Sequence, residues 1–300
     1  MKILLLGANG QVGWELRRSL APLGEVFAFD RDPSDAGAVD LAQPDSLGAL
    51  IERVAPDAIV NAAAYTAVDK AEAEPALAHT INAEAPAALA RAAAARGALL
   101  LHYSTDYVFD GSGDAPRDEG AATAPLSVYG RTKLAGEEAV RASGARHLIL
   151  RTSWVYAARG ANFPRTMLRL AQEREQLRVV ADQVGAPTGA ELLADVSAHA
   201  IRSLLARPAL AGTYHVAAAG ETSWHGLARY AIEQGRALRP ERPWKVRDIE
   251  AIATADYPTP ARRPLNSRLD TRRLREAFGL SLPAWEAGVR RMLVEHLGTA

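Results

Sequence analysis

Lys2-Ile3-Leu4-Leu5-Leu6-Gly7-Ala8-Asn9-Gly10-Gln11-Val12-Gly13 is the stretch that decides the fold of this chain. A short, almost wholly apolar run ends in glycines at positions 7, 10 and 13, a spacing that turns a buried strand sharply into a helix. Glycine admits dihedrals closed to other residues and lets backbone approach a ligand closely. The first helical turn adds unpaired N–H groups and the positive end of the helix dipole. Gly7, Gly10, Gln11, Val12 and Gly13 therefore read as a cradle for a dinucleotide pyrophosphate. The same letters alone also describe a turn that binds nothing, so the rest of the chain has to decide.

Further along, apolar strand candidates at 2–6, 25–29, 58–61, 99–104 and 147–150 alternate with segments long enough for crossover helices. That rhythm specifies an α/β fold: a Rossmann-type, doubly wound parallel sheet covered on both faces. The Ala-rich run 76–96 reads as scaffold helix. After Tyr156 helical patterns at 163–174, 190–206, 227–235 and 284–297 are broken by Pro-rich connections, which suggests a smaller C-terminal substrate-binding lobe. The expected division is 1–156 for the dinucleotide-binding domain and 157–300 for the lobe, with about 188–216 returning to the first domain.

Composition narrows the function classes. Thirty-five basic and thirty-five acidic residues balance among 300, so no global field favours nucleic acid or an anionic membrane. No segment reaches the roughly 20 apolar residues that span a bilayer, and the chain opens on a strand rather than an export signal. Without cysteine there is no thiol nucleophile or thiolate metal site, which fits a cytoplasmic setting.

Asp30 ends the second strand about twenty residues past the glycine loop, where a carboxylate accepts both ribose hydroxyls and favours NADH. Arg31 beside it could pair instead with a 2′-phosphate, so NADPH is admitted as well. Asp40-Leu41 suits the adenine edge, although Asp40 also reads as a solvated loop residue. Small side chains at Asn61-Ala62-Ala63-Ala64 leave room for a cofactor at the sheet's switch point, or serve close helix packing. Tyr129 and Lys133, four apart, share a helical face. A phenol titrates near pH 10, so a neighbouring ammonium would help it release a proton near neutrality. A hydroxyl from Thr105 or Ser104 would polarise a carbonyl.

Through Gly7-x-x-Gly10-x-x-Gly13, Asn61-Ala62-Ala63-Ala64 and Tyr129-x-x-x-Lys133 the chain resembles the extended short-chain dehydrogenase/reductases. The blocks 102–109, 151–156, 182–188 and 258–264 resemble the branch that reduces nucleotide-sugar ketones, and they span nearly the whole chain. That resemblance implies reduction of the C4 ketone of dTDP-4-dehydro-β-L-rhamnose by NADPH or NADH. It assigns Tyr129 as proton donor, Lys133 as its pKa-lowering, ribose-binding partner and Thr105 as the assisting hydroxyl, with Ser104 turned to the other face of the strand. Gly10, Gln11, Val12, Asp30, Asp40, Leu41, Ala64, Tyr65, Thr66, Tyr103, Tyr129 and Lys133 fall on its cofactor positions. Tyr65 stands where other members carry His. Asp106 and Trp154 fall on its sugar positions, Trp154 having a core aromatic as its alternative reading.

An anionic dTDP group needs a local cation, for which Arg262 and Arg263 are candidates beside a purely structural reading. Glu191 and Asp195 share a helical face, and the resemblance adds Glu15 as a third carboxylate of an Mg²⁺ site in a homodimer. Two other functions fit the same motifs: a nucleotide-sugar epimerase or dehydratase that keeps its NAD through turnover, and a non-catalytic nucleotide-binding subunit. The second has no chemical use for an intact Thr105, Tyr129 and Lys133.

Overall fold

The computed structural model describes residues 1–32 and 37–298. Six strands, β1 (Lys2–Leu6), β2 (Glu25–Phe29), β3 (Ala58–Asn61), β4 (Leu99–Thr105), β5 (Arg146–Thr152) and β6 (Gly212–His215), form one sheet in the order β2-β1-β3-β4-β5-β6. Every neighbouring pair is parallel, so both faces must be covered. β1 shows how: Ile3 and Leu5 pack with Leu16, Leu20, Leu193, Ile201 and Leu204 on one face, and Leu4 and Leu6 with Leu47, Leu50, Ile51 and Leu89 on the other. The period-2 alternation of a strand thus sends one apolar run into two cores, each buried side chain contributing about 1.5–3 kcal/mol.

The covering helices are α1 (Gln11–Leu20), α2 (Leu47–Val54), α3 (Ala85–Arg96), α4 (Val128–Ala142) and, from late in the chain, α6 (Ala190–Ala206), which packs on α1. A further group, α5 (Phe163–Glu173), α7 (Trp224–Leu238) and α8 (Trp285–Leu297), surrounds its own apolar clusters, built on Tyr156, Leu168, Leu227, Trp285, Val289 and Leu293 and on Met167, Leu177, Val179 and Ile232. Two short parallel strands, Gln176–Val180 and Asp248–Ile252, pair beside them.

The Ala-rich segment is not one regular helix. A π turn at Thr80–Glu84 separates Pro75–His79 from α3. Pro86 has no N–H for the carbonyl of residue 82 and its ring crowds that carbonyl, so the backbone widens by one residue. The Asn82 side chain then bonds the backbone N–H and C=O of Tyr65 at 2.8 and 3.1 Å and the Thr132 hydroxyl at 3.1 Å. This pins α4 to the loop after β3.

The sheet order reverses between β1 and β3, and at that point the backbone is crowded. A Cβ on Gly13 would run into the Gly7 carbonyl. Gly13→Ala is therefore expected to destabilise the protein by an overpacking cost of about 1–3 kcal/mol, read as a lower urea midpoint. Gly48→Ala, in open space on the exposed face of α2, should be neutral or stabilising. Equal effects at the two positions would contradict the crowding.

Candidate active site

Outside the carboxyl ends of β1, β3 and β4 lies a cleft of ≈ 820 Å³, where ligands bind in open α/β sheets. The glycine loop forms its floor. Gly7 sits at φ +82°, a Cβ there would lie 2.7–2.9 Å from the Ala62–Ala63 backbone, and its N–H donates to the Phe29 carbonyl at 2.9 Å. α1 starts at Gly10 with no side-chain cap and no acidic residue in its first turn, so its N–H groups stay open to an anion. Gly10, Gln11 and Val12 line the cleft, whereas Gly13 is packed under the loop.

Asp30, Arg31, Asp40 and Leu41 line one end of the cleft. Asp30 accepts the Asn9 and Arg31 N–H groups, each at 2.8 Å, one on each oxygen. A carboxylate has about four acceptor positions, so capacity for two hydroxyls remains. Asp40 accepts the Ala42 N–H at 2.9 Å. Ala62, Ala63, Ala64 and Thr66 line the middle, and Tyr65 does not. The Tyr65 phenol donates to Glu74 at 2.6 Å, a bond that pushes it up to about 12.

Ser127 caps α4, its hydroxyl accepting the Gly130 N–H at 3.2 Å, and this sets the register of Tyr129 and Lys133. A Cβ on Gly130 would strike the Tyr107 carbonyl, so the helix start is pressed against the end of β4. Thr105, Asp106, Tyr129 and Lys133 all line the cleft. Tyr107 meets the Tyr129 ring edge-on at 5.5 Å. Ser104 turns back toward the buried Glu137 carboxylate, which Arg151 binds through two hydrogen bonds of 2.8 and 2.6 Å.

Burial governs the protonation of these groups. It holds the Tyr129 phenol above its ordinary value, with the Asp106 charge adding to the effect and the Thr105 hydroxyl opposing it. The Lys133 ammonium donates to the Tyr103 carbonyl at 2.6 Å. Burial brings Lys133 itself down to about 8, against the pull of Glu137. The Tyr103 phenol shares a 2.5 Å hydrogen bond with Ser197 of α6. Asp106 is 2% exposed and accepts from Thr105 at 3.1 Å. Its carboxyl is raised to about 6 by burial, against the hydroxyls of Ser267 and Thr105.

Trp154 is cleft wall and half-buried rather than core. Its backbone is left-handed, φ +51°, in a region that costs a side-chain-bearing residue roughly 1–2 kcal/mol. The ring stacks on Trp224, centroids 3.6 Å apart. The indole N–H of Trp224 is in turn held by Gln183 at 3.0 Å. Arg263 reaches the rim, paired with Asp69 at 2.6 Å and 3.4 Å from the Tyr107 hydroxyl. Arg262 is exposed and lies outside the cleft lining.

The three expected metal ligands do not assemble in the chain. Asp195 accepts from Arg18 at 2.9 Å and from Ser19 at 2.5 Å, and Glu15 pairs with the same arginine. Glu191 is raised by burial. Among the described residues no group of three or more His, Cys, Asp or Glu is placed to hold a metal ion. Helical spacing put Glu191 and Asp195 on one face, but the cation that answers Asp195 is a guanidinium.

Several cleft or near-cleft groups carry no role in the sequence reading. Trp224, Tyr107 and Val68 line the wall, and Asn82 and His102 lie behind it. Pro86 was the available signal for Asn82; Trp224 arrives from another element with no local motif.

The family model described as RmlD substrate binding domain matches residues 1–297. A curated relative from Escherichia coli (strain K12), dTDP-4-dehydrorhamnose reductase, is 55% identical over 299 residues, 100% of this chain and 99% of that one. A crystal structure of dTDP-4-dehydrorhamnose reductase from Bacillus anthracis in complex with NADP superposes with a TM-score of 0.87 at 35% identity, over 98% of this chain and 99% of that chain. One from Clostridium acetobutylicum also gives 0.87, at 34% identity and 97% and 98% coverage.

The buried Asp106 carboxyl yields a stability test. A folded-state value near 6, above the ordinary 3.8, means that ionised Asp106 costs the fold stability above that pH and nothing well below the ordinary carboxylate range. Asp106→Asn is expected to stabilise the protein by on the order of 1–3 kcal/mol at about pH 8, the gain shrinking through pH 6 and vanishing by about pH 3–4. Thermal melts across that range check it, and a gain independent of pH contradicts it.

Proposed function

The chain belongs to the RmlD substrate binding domain family, and on that premise we propose that it reduces the C4 ketone of dTDP-4-dehydro-β-L-rhamnose to dTDP-β-L-rhamnose with NADPH or NADH. One observation carries the reading beyond family membership. The cleft that holds an open glycine-loop cradle also brings the hydroxyl of Thr105, the phenol of Tyr129 and the amine of Lys133 to one end, the donor set a ketone reduction requires.

The residues fit a nicotinamide dinucleotide. Gly7 and Gly10 leave the space that side chains would fill, the start of α1 offers N–H groups to the pyrophosphate, and Asp30 and Arg31 flank the adenosine end. An acidic and a basic residue side by side support use of both cofactors. When bound, the reduced nicotinamide supplies the hydride that the ketone carbon accepts.

Charge then develops on the C4 oxygen, and the chain answers it. Tyr129 gives its proton to that oxygen, and the Thr105 hydroxyl holds the oxygen and phenol in line. Burial keeps Tyr129 protonated before reaction, as a proton donor must be. Lys133, anchored on the Tyr103 carbonyl, presents its remaining N–H groups toward the cofactor's ribose. Asp106 accepts sugar hydroxyls, the Trp154–Trp224 stack forms an apolar wall, and Arg263 at the rim offers a cation to the diphosphate. No step requires a metal, and none is assigned one. Among the described residues no helix is long and apolar enough to cross a membrane. The substrate and the cysteine-free composition support a cytoplasmic setting.

The test is to mix the purified protein with dTDP-4-dehydrorhamnose and NADPH or NADH, follow loss of reduced-nicotinamide absorbance, and identify the sugar formed. Stoichiometric oxidation with dTDP-rhamnose as product is expected. Tyr129→Phe should retain cofactor binding and lose about 10²–10⁴-fold in turnover. Cofactor binding without oxidation in the wild type, or near-normal turnover in the variant, would overturn the assignment.

A further inference from the structure

Behind Lys133 lies a buried titratable group that the reaction as described does not use. His102, on β4 and 1% exposed, sits between Asn61 at the end of β3 and Lys133 on α4. Its ring nitrogens face one neighbour each: Nδ1 is 3.2 Å from Asn61 Nδ2, and Nε2 is 3.4 Å from Lys133 Nζ.

The donor and acceptor roles in this chain can be worked out from its fixed end. Asn61 Oδ1 accepts the backbone N–H of Ala63 at 3.2 Å, and backbone N–H groups do not change role. That bond orients the amide, so the group facing His102 is the NH2, and Nδ1 must be the accepting nitrogen. Burial and the neighbouring lysine hold His102 well below its ordinary value, so the ring is neutral. A neutral imidazole whose Nδ1 accepts carries its one proton on Nε2. Nε2–H is therefore what Lys133 meets.

An ammonium has three donors and no lone pair, so it faces Nε2–H donor to donor. The neutral amine has a lone pair to offer that hydrogen while it still donates to the Tyr103 carbonyl at 2.6 Å. We propose that His102, fixed as the Nε2–H tautomer by Asn61, is a positioning residue that disfavours the Lys133 ammonium and so sets the pH above which the Tyr129–Lys133 pair loses its cation.

The other ionisable groups around Lys133 do not perform this task. Glu137, one turn on along α4, favours the ammonium but is bound by Arg151 and Arg141 at 2.6–2.9 Å. The Tyr103 phenol is engaged with Ser197 and burial keeps it neutral, and Tyr129, one turn back, is likewise held protonated. Burial alone already brings Lys133 close to the working pH range. A change in one hydrogen-bond partner then moves it through that range.

The tautomer stands on hydrogen-bond geometry alone, while its effect on turnover rests on the reductase reading; the test separates the two. Histidine labelled with ¹⁵N in the full chain reports which ring nitrogen is protonated. His102 is identified by the loss of its signals in His102→Gln or their change in Asn61→Asp. The expected result is a neutral Nε2–H ring unchanged between about pH 5 and 8. An Nδ1–H ring, or protonation in that interval, overturns the proposal.

The second readout is the pH dependence of NADPH binding, which needs no sugar. His102→Gln can turn a carbonyl oxygen toward Lys133, and Asn61→Asp reverses the tautomer so that Nε2 accepts. Both should move the alkaline fall in NADPH affinity upward by about one pH unit, a tenfold gain on that limb. A limb that stays in place in folded variants overturns the proposal, whatever the sugar assay shows.

Discussion

Gly7 has no room for a side chain, and that constraint organises the molecule. Its positive φ turns the chain out of β1 and up against the Ala62–Ala63 backbone, while its N–H is satisfied by Phe29 on β2. Three strand ends are thereby drawn together at the point where the sheet order reverses. The crowding explains why Gly13 must be glycine, and α1 begins beside it with its N–H groups facing open space. A side chain at Gly7 or Gly13 would press on neighbouring backbone at the base of the cleft.

The second organising effect is burial of polar groups at the far end of the same cleft. Asp106, Lys133 and His102 are nearly or wholly out of water and Tyr129 is half-buried at the cleft wall, and each is moved toward its neutral form. For Tyr129 this preserves a proton to give. For Lys133 it makes protonation sensitive to whichever neighbour accepts or donates. The buried Glu137–Arg151 pair beneath Ser104 takes no direct part in this chemistry, yet its paired charges fix the position of α4 against β4 and β5. The depressed lysine is thus a consequence of where it is buried rather than of its spacing from the tyrosine.

Much of this was legible in the chain. The glycine spacing, the apolar alternation and the Tyr129–Lys133 interval describe local geometry, and local geometry survives folding; β1 to β3 occupy the residues expected, and β4 and β5 run slightly longer. What could not be read depended on contacts made across sequence. β6 is a short Gly-Thr-Tyr-His segment with no apolar run, and only its pairing with β5 makes it a strand. Trp224 reaches the cleft from α7 because Trp154 stacks on it. Lys133 shares a face with Tyr129 as its spacing requires, but its Nζ is turned to the Tyr103 carbonyl, a partner no helical rule supplies. Glu191 and Asp195 share a face too, and Arg18 and Ser19 from α1 take Asp195. The π turn was in principle readable from Pro86, since a proline inside a helix always leaves one carbonyl unanswered.

The most direct measurement of the central claim follows the transferred hydrogen itself. NADPH carrying deuterium at both C4 positions of the nicotinamide is incubated with the protein and dTDP-4-dehydrorhamnose, and the sugar is examined by NMR. The account predicts one deuterium at C4 of dTDP-rhamnose for each cofactor oxidised and released. Sugar product without deuterium at C4, or deuterium retained by cofactor that stays bound through turnover, would contradict it.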